Sequence, residues 1–114
     1  MRIRSIKSSD FSPIKKLLRT HKSAHWTTAS FNRMVRNPYN AHFVAEEAGK
    51  LVGVIFGLSD GCDVGYLYKL EVDPAFRRKG IGKALVQHAL KEWKPLKLRL
   101  IFGRVAKKNK PSKA

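Results

Sequence analysis

The chain has 114 residues, enough for one domain and not for two, with 43% hydrophobic residues and a formal net charge of +16. The apolar share excludes a disordered chain, and the single cysteine, Cys62, excludes an intrachain disulfide. The longest strongly apolar run, near residues 51–58, is too short to cross a bilayer, and the N-terminus alternates instead of carrying an apolar signal core, so a soluble cytoplasmic protein that makes no membrane contact is expected.

The excess charge sits at the two ends. Residues 1–40 and 91–114 each carry nine Lys/Arg against one acid, whereas residues 41–90 carry six of each. Such flanks favour polyanions such as RNA, and also phosphorylated small molecules; a plain solvated surface has the same composition.

In chain order, "MRIRSIKSSD" places Ile3 and Ile6 between charges and reads as a first strand. In "SSDFSPIKKLLRTH", Ser9 or Asp10 can cap a helix, Pro13 suits its first turn, and Ile14, Leu17 and Leu18 form its apolar stripe. "HWTTASFNRMVRN" predicts a second short helix. Thr27 or Thr28 caps it, Phe31, Met34 and Val35 share a face, and Asn37-Pro38 stops it. "AHFVAEEAGKLVGVIFGLSD" reads as a hairpin with strands at 41–46 and 51–58 and a turn near Ala48-Gly49.

"GYLYKLEV" is the next strand. Simple alternation puts Tyr66, Tyr68, Leu70 and Val72 on one face and Leu67, Lys69 and Glu71 on the other, with Tyr66 and Tyr68 as packing residues. A helix starts at the Gly80 loop, carries Ile81, Leu85, Ala89 and Trp93 with Ala84 and Leu90 as a broad stripe, and is closed by Pro95. "LKLRLIFGRV" is a last strand, with Leu98, Leu100 and Phe102 on one face and Lys97, Arg99 and Ile101 on the other. A helix between those two strands implies a parallel crossover.

The chemistry concentrates in "VDPAFRRKGIGKAL". Gly80 and Gly82 leave the backbone at a helix start open to close approach, where unpaired N–H groups carry partial positive charge, and Arg77, Arg78 and Lys79 add formal charge at the same point. The pattern favours an anion. It is neither a Walker loop, since no Gly-Lys-Ser/Thr follows, nor a Rossmann fingerprint, since the third glycine is missing.

The whole segment "LEVDPAFRRKGIGKALV" resembles the central motif of the GNAT N-acetyltransferase superfamily: Leu-x-Val-x-Pro ending a strand, then Arg/Gln-x-x-Gly-x-Gly/Ala, then an amphipathic helix. Leu70, Val72, Pro74, Arg77, Gly80 and Gly82 carry the match. "HWTTASF" further resembles the Trp-Ser-x-x-x-x-Phe element of ribosomal-protein N-terminal (alanine) acetyltransferases, through Trp26 and Phe31 with Thr27 in place of serine and one residue fewer before the Phe; an aromatic pair packing a helix on a sheet would read the same way.

The resemblance implies an α/β (α+β), GNAT-like three-layer fold over residues 1–114, a mixed central sheet flanked by helices, lacking the family's last helix and final strands. It implies an acetyl-CoA-dependent N-acetyltransferase acting on an amine, a protein N-terminal or lysine amine, with a ribosomal protein as one substrate class. It places the coenzyme's pyrophosphate on the backbone of Arg78, Lys79, Gly80, Ile81, Gly82 and Lys83 beside Arg77, and its pantetheine arm on Leu70, Glu71 and Val72. Asn109 joins the coenzyme site, and the Val72 N–H becomes the oxyanion donor.

The acid and base are less clear. Asn109 and Ser112 fall on the family's Asn-x-x-Ala/Ser pattern, but the tyrosine that supplies the general acid would fall beyond Ala114. The glutamate base of the ribosomal-protein enzymes falls at Arg104, five residues before Asn109, and a guanidinium cannot take a proton. Glu71 is the remaining candidate base, with a surface carboxylate as the plainer reading; His21, His25 and His42 could act only through water. No metal-ligand spacing is present.

Three readings stay open: a working acetyltransferase, a catalytically degraded protein that binds coenzyme A or RNA and ribosomes, and a truncated reading of a longer enzyme. A bare edge on the last strand would favour a homodimer or aggregation.

Overall fold

The computed structural model describes residues 1–18 and 26–103. The elements are β1 (Arg2–Ser5), α1 (Phe11–Leu17), α2 (Thr28–Arg36), β2 (Phe43–Glu47), β3 (Lys50–Ser59), β4 (Val64–Val72), α3 (Ile81–Trp93) and β5 (Leu100–Gly103), with short 3-10 turns at Ser8–Asp10, Pro74–Phe76 and Lys94–Leu96. The sheet order is β1-β2-β3-β4-β5. The first three pairings are antiparallel, and β4 and β5, joined through α3, are parallel as expected. Among the described residues no helix is long and apolar enough to cross a membrane.

Alternation in β2, and in β3 on either side of a bulge where Ala45 pairs with Gly53 and Glu46 with Leu51, builds a layer on each face. Phe43, Ala45, Val52 and Ile55 pack with Ile81, Leu85, Ala89 and Trp93 of α3. Val44, Val54 and Phe56 pack with Ile14, Leu18 and Phe31 from the α1/α2 side. The helix–sheet–helix arrangement is the three-layer architecture expected. The Ala48-Gly49 turn also forms: Glu47 pairs with Lys50 across two residues at φ 52 and 81, the positive-φ geometry that matches strand twist in a two-residue hairpin. Trp93 fills the α3 layer; a Cβ on Gly65 would lie 2.6 Å from its ring, and its Nε1 donates to the Tyr39 carbonyl at 2.9 Å.

The expected capping is sharpened. Thr27 caps α2 and exchanges hydrogen bonds with Ser30, and Trp26 meets Phe31 edge-on at 5.9 Å, so this pair packs a helix on the sheet. Asp10 instead takes two Arg4 hydrogen bonds at 2.9 Å and the Lys7 N–H at 2.7 Å. Arg4 also reaches Glu46. Burial pushes the Asp10 carboxyl up, but the Arg4 and Lys7 bonds outweigh it and leave it below its ordinary value. The same bonds raise the Arg4 guanidinium.

The simple alternation expected along β4 is corrected. Tyr68 pairs with Phe56 and Glu71 with Val54, so three steps on β4 oppose two on β3, and Lys69 sits in this bulge at φ 51. Leu67, Leu70 and Val72 therefore pack in the α3 layer, and Tyr68, with Tyr66 stacked on it at 5.6 Å, lies on the other face. The last strand starts later than expected, at Leu100. The N–H groups of Arg99 and Leu100 both donate to the Asp63 carbonyl, and this kink sends Leu98 to the α3 layer while Phe102 meets Tyr66 at 5.0 Å.

Candidate functional site

The glycine loop forms the start of α3. Gly80 is the N-cap at φ 78, a conformation that excludes most side chains, and no atom lies within 4 Å of where its Cβ would be. The helical ladder begins with Ala84 N–H to Gly80 C=O at 3.0 Å. The N–H groups of Ile81, Gly82 and Lys83 therefore precede the ladder, at the positive end of a 13-residue helix. A Cβ on Gly82 would lie 3.6 and 3.8 Å from the Leu70 and Val72 side chains, so this turn of the helix faces the end of β4. The side chains of Arg78, Lys79 and Lys83 stand exposed around this opening. Arg78 has φ 66 and the Lys79 ammonium lies 5.5 Å from the Phe76 ring. Open space, backbone donors and cations thus coincide, and a phosphate group fits them.

Arg77 does something else. Its Nε donates to the Val72 carbonyl at 3.1 Å, and its Nη2 donates to Glu71 Oε2 at 3.1 Å. It ties the loop back to the strand instead of pointing a free charge at the opening. Sequence reading counted it with the phosphate cations because spacing reveals charge, not direction.

The backbone at the end of β4 divides by alternation. Asp73 N–H donates to Val52 on β3 at 2.8 Å, so the neighbouring Val72 N–H faces the opposite edge, the edge from which Arg77 takes the Val72 carbonyl. Leu70 follows Val72 by the same alternation, whereas Glu71 is in register with Val54. The described β4–β5 register runs only from Val64↔Leu100 to Leu67↔Gly103, so Tyr68 to Val72 lie beyond it.

On the α1/α2 face, a cleft of about 670 Å³ is lined by Lys16, Leu17 and Lys50 and reaches Glu71, Asp73 and Arg77. The Glu71 carboxylate is largely covered, with a side-chain exposure of 15%. Further along β4, the Lys69 ammonium lies 5.9 Å from the Trp26 ring and 5.5 Å from the Tyr68 ring. His42 is buried away from this cleft: it accepts the Gly57 N–H at Nδ1, and burial lowers its pKa to about 4. Arg104, Asn109, Ser112, His21 and His25 lie outside the described residues. The sequence reading missed Lys69 and the Trp26–Tyr68 niche, because only the bulge turns that side chain toward those rings.

A mixed sheet whose strand β4 hands its end to an anion-receptive helix start defines a class of α/β proteins able to hold a phosphorylated group at that helix start. Residues 3–114 match the Acetyltransferase (GNAT) family, and the chain belongs to that family. It is 36% identical over 69 residues to N-alpha-acetyltransferase RimI of Mycobacterium tuberculosis (strain ATCC 25618 / H37Rv), covering 57% of this chain and 43% of that protein. The chain thus matches less than half the length of this relative. A Trypanosoma brucei acetyltransferase superposes with a TM-score of 0.77 at 23% identity, over 97% of this chain and 87% of its own, a likeness of fold. Rv2747 of Mycobacterium tuberculosis, solved with CoA and NLQ, superposes with a TM-score of 0.74 at 27% identity, over 90% of this chain and 63% of its own.

Proposed function

We propose that the chain binds acetyl-CoA at the α3 start and transfers the acetyl group to an amine, a protein N-terminal or lysine amine. The observation that carries this is the Gly80 opening: unobstructed space, three N–H groups ahead of the helical ladder and three exposed cations, beyond the end of β4. Family membership and the CoA complex of Rv2747 support the choice of anion. The relative's name, N-alpha-acetyltransferase, supports an N-terminal amine as acceptor, with a ribosomal protein as one substrate class.

In this reading the backbone from Arg78 to Lys83 holds the pyrophosphate, and the edge of Leu70 and Val72 that faces away from β3 pairs with the pantetheine arm. The Val72 N–H donates to the oxyanion of the tetrahedral intermediate. Glu71, the candidate base of the sequence, anchors Arg77 through its carboxylate. The thiolate of coenzyme A, with a pKa of about 8.5, is a tolerable leaving group.

Calorimetry with acetyl-CoA tests the site. Binding should weaken as salt rises, and Gly80→Asp, which places an anion against the phosphates and a side chain at positive φ, should weaken it by at least about tenfold. Equal affinity in that variant would remove the site assignment.

The basic flanks support a second contact, with RNA. Retention on ribosomal RNA should then fall steeply with salt as counterions are released; retention indifferent to salt would refute it.

A further inference from the structure

We infer that the outward face of α3 is a docking surface for the phosphate backbone of RNA, and that it shares its N-terminal end with the coenzyme site, so that RNA and acetyl-CoA exclude one another. This rests on the RNA and coenzyme readings above.

The helix itself defines the face. Ile81, Leu85, Ala89 and Trp93 are buried on the sheet. Lys83, Gln87, Lys91 and Lys94, spaced by four, four and three positions, stand exposed on the opposite side. From Lys83 to Lys94 the stripe runs about 16 Å at about 1.5 Å per residue. No acid shares it. Glu92 lies off it, on the flank where it borders a small cavity with Asn37, Asn40 and His42.

The charge of the stripe is uncommitted. Arg4, Lys50, Arg77 and Arg99 are each paired with a carboxylate. Among the described residues Lys83, Lys91 and Lys94 make no ion pair. Lys83 also stands in a first helical turn that holds no acid, at the positive pole of α3, where a cation destabilises the helix and a bound anion relieves it. The exposed cations Lys15, Lys16, Arg33 and Arg36 are instead split between two short helices, on the face where Glu71 and Asp73 line the cleft.

A row of lysines on one helix face complements a row of like negative charges. Lysines act there as point charges on flexible stems, and the stripe offers no aromatic ring on which a base could stack. The contact is therefore with phosphates and is indifferent to sequence. Lys83 belongs both to the stripe and to the Gly80 opening. An RNA strand laid along the stripe and the coenzyme's pyrophosphate compete for it and repel one another, so each weakens the other by the same factor.

The test is fluorescence anisotropy on the full chain with a labelled oligouridylate of about 20 nucleotides. Saturating acetyl-CoA should weaken RNA binding at least about tenfold, and the RNA should weaken acetyl-CoA binding, measured by calorimetry, by the same factor. This arm needs no variant to fold. The double substitution Lys91→Gln with Lys94→Gln lies outside the coenzyme site. It should lower the slope of log affinity against log salt by about 1.4 and cut RNA affinity about tenfold at about 0.1 M salt, with acetyl-CoA affinity unchanged. The pair Arg33→Gln with Arg36→Gln should do far less. RNA binding that ignores the Lys91 and Lys94 changes, or falls as far with the Arg33 and Arg36 changes, overturns the α3 surface and leaves the RNA reading standing. RNA binding that ignores bound acetyl-CoA overturns the shared end. Polyglutamate that displaces the RNA at equal charge concentration would make the face one for acidic protein segments and overturn the assignment to RNA. If no RNA binds at low salt, the RNA reading fails and carries this inference with it; if acetyl-CoA does not bind, the coenzyme reading fails and the mutual exclusion falls with it.

Discussion

The two faces of the sheet are held by different physics. On one, a single 13-residue helix lays Ile81, Leu85, Ala89 and Trp93 on the strands. On the other, helices of seven and nine residues rest on Ile14, Leu18 and Phe31, and charge is built into the support through Arg4, Asp10 and Glu46. His42 lies beside Phe56 of that same layer, 5.0 Å away ring to ring. The α3 layer is stabilised by shape, and its start holds the proposed phosphate site. The α1/α2 layer is stabilised by shape and by protonation state, and it borders the cleft and the Lys69 niche.

That contrast can be broken by substitution. The largest effect is expected for Trp93→Ala, which empties the centre of the α3 layer and should cost about 3–5 kcal/mol, by the same amount at pH 7 and pH 5. Urea denaturation at both values measures it, and a pH-dependent loss would show that charge also holds this layer. Asp10→Asn should cost about 3 kcal/mol at neutral pH, because it strips a covered Arg4 of one of its partners. Its folded pKa lies below the unfolded one, so its contribution is present above about pH 4 and is lost as pH falls through the folded value, and the variant and the wild type should converge in strong acid.

His42 separates the layers within a milder window. Burial depresses its pKa from 6.5 to about 4. The unfolded chain therefore takes up the proton first: the contribution is complete above about pH 6.5 and is lost as pH falls toward about 4, by up to roughly 3 kcal/mol. The stability difference between pH 7 and pH 4.5 should shrink markedly in His42→Gln; an unchanged slope would place the pH dependence elsewhere.

A smaller pair of effects sharpens the reading of α3. Gly80→Ala should cost about 1 kcal/mol through backbone conformation alone, since its surroundings are open, while Gly82→Ala meets Leu70 and Val72 at ordinary contact distances and should change stability by only a few tenths of a kcal/mol. Thermal melts compare the two, and equal costs would mean that the left-handed N-cap is not what demands glycine at position 80. The smallest effect concerns β5. Leu100, Ile101 and Phe102 are 46%, 39% and 48% exposed on a strand at the end of the described sheet order. Homodimerisation through this strand should be weak and should strengthen with salt as Lys97 and Arg99 are screened; sedimentation showing a monomer at every salt concentration would remove it.

The sequence by itself determined the element order, the hairpin at Ala48-Gly49 and the helix start at Gly80, because each is written in local terms: alternation, a cap, a glycine that tolerates positive φ. It also determined the family, since Leu70, Val72, Pro74, Arg77, Gly80 and Gly82 are contiguous enough to be read as one motif. Only the tertiary structure decided where the side chains of that motif point. One extra residue in β4 against β3 moved Leu70 and Val72 away from Tyr66 and Tyr68 and raised Lys69 toward Trp26, a residue 43 positions earlier in the chain. Arg77 likewise turned from the opening to Glu71 and Val72. A bulge is fixed by the register of two strands, and register by the packing of whole faces against distant helices, so no local pattern announces it.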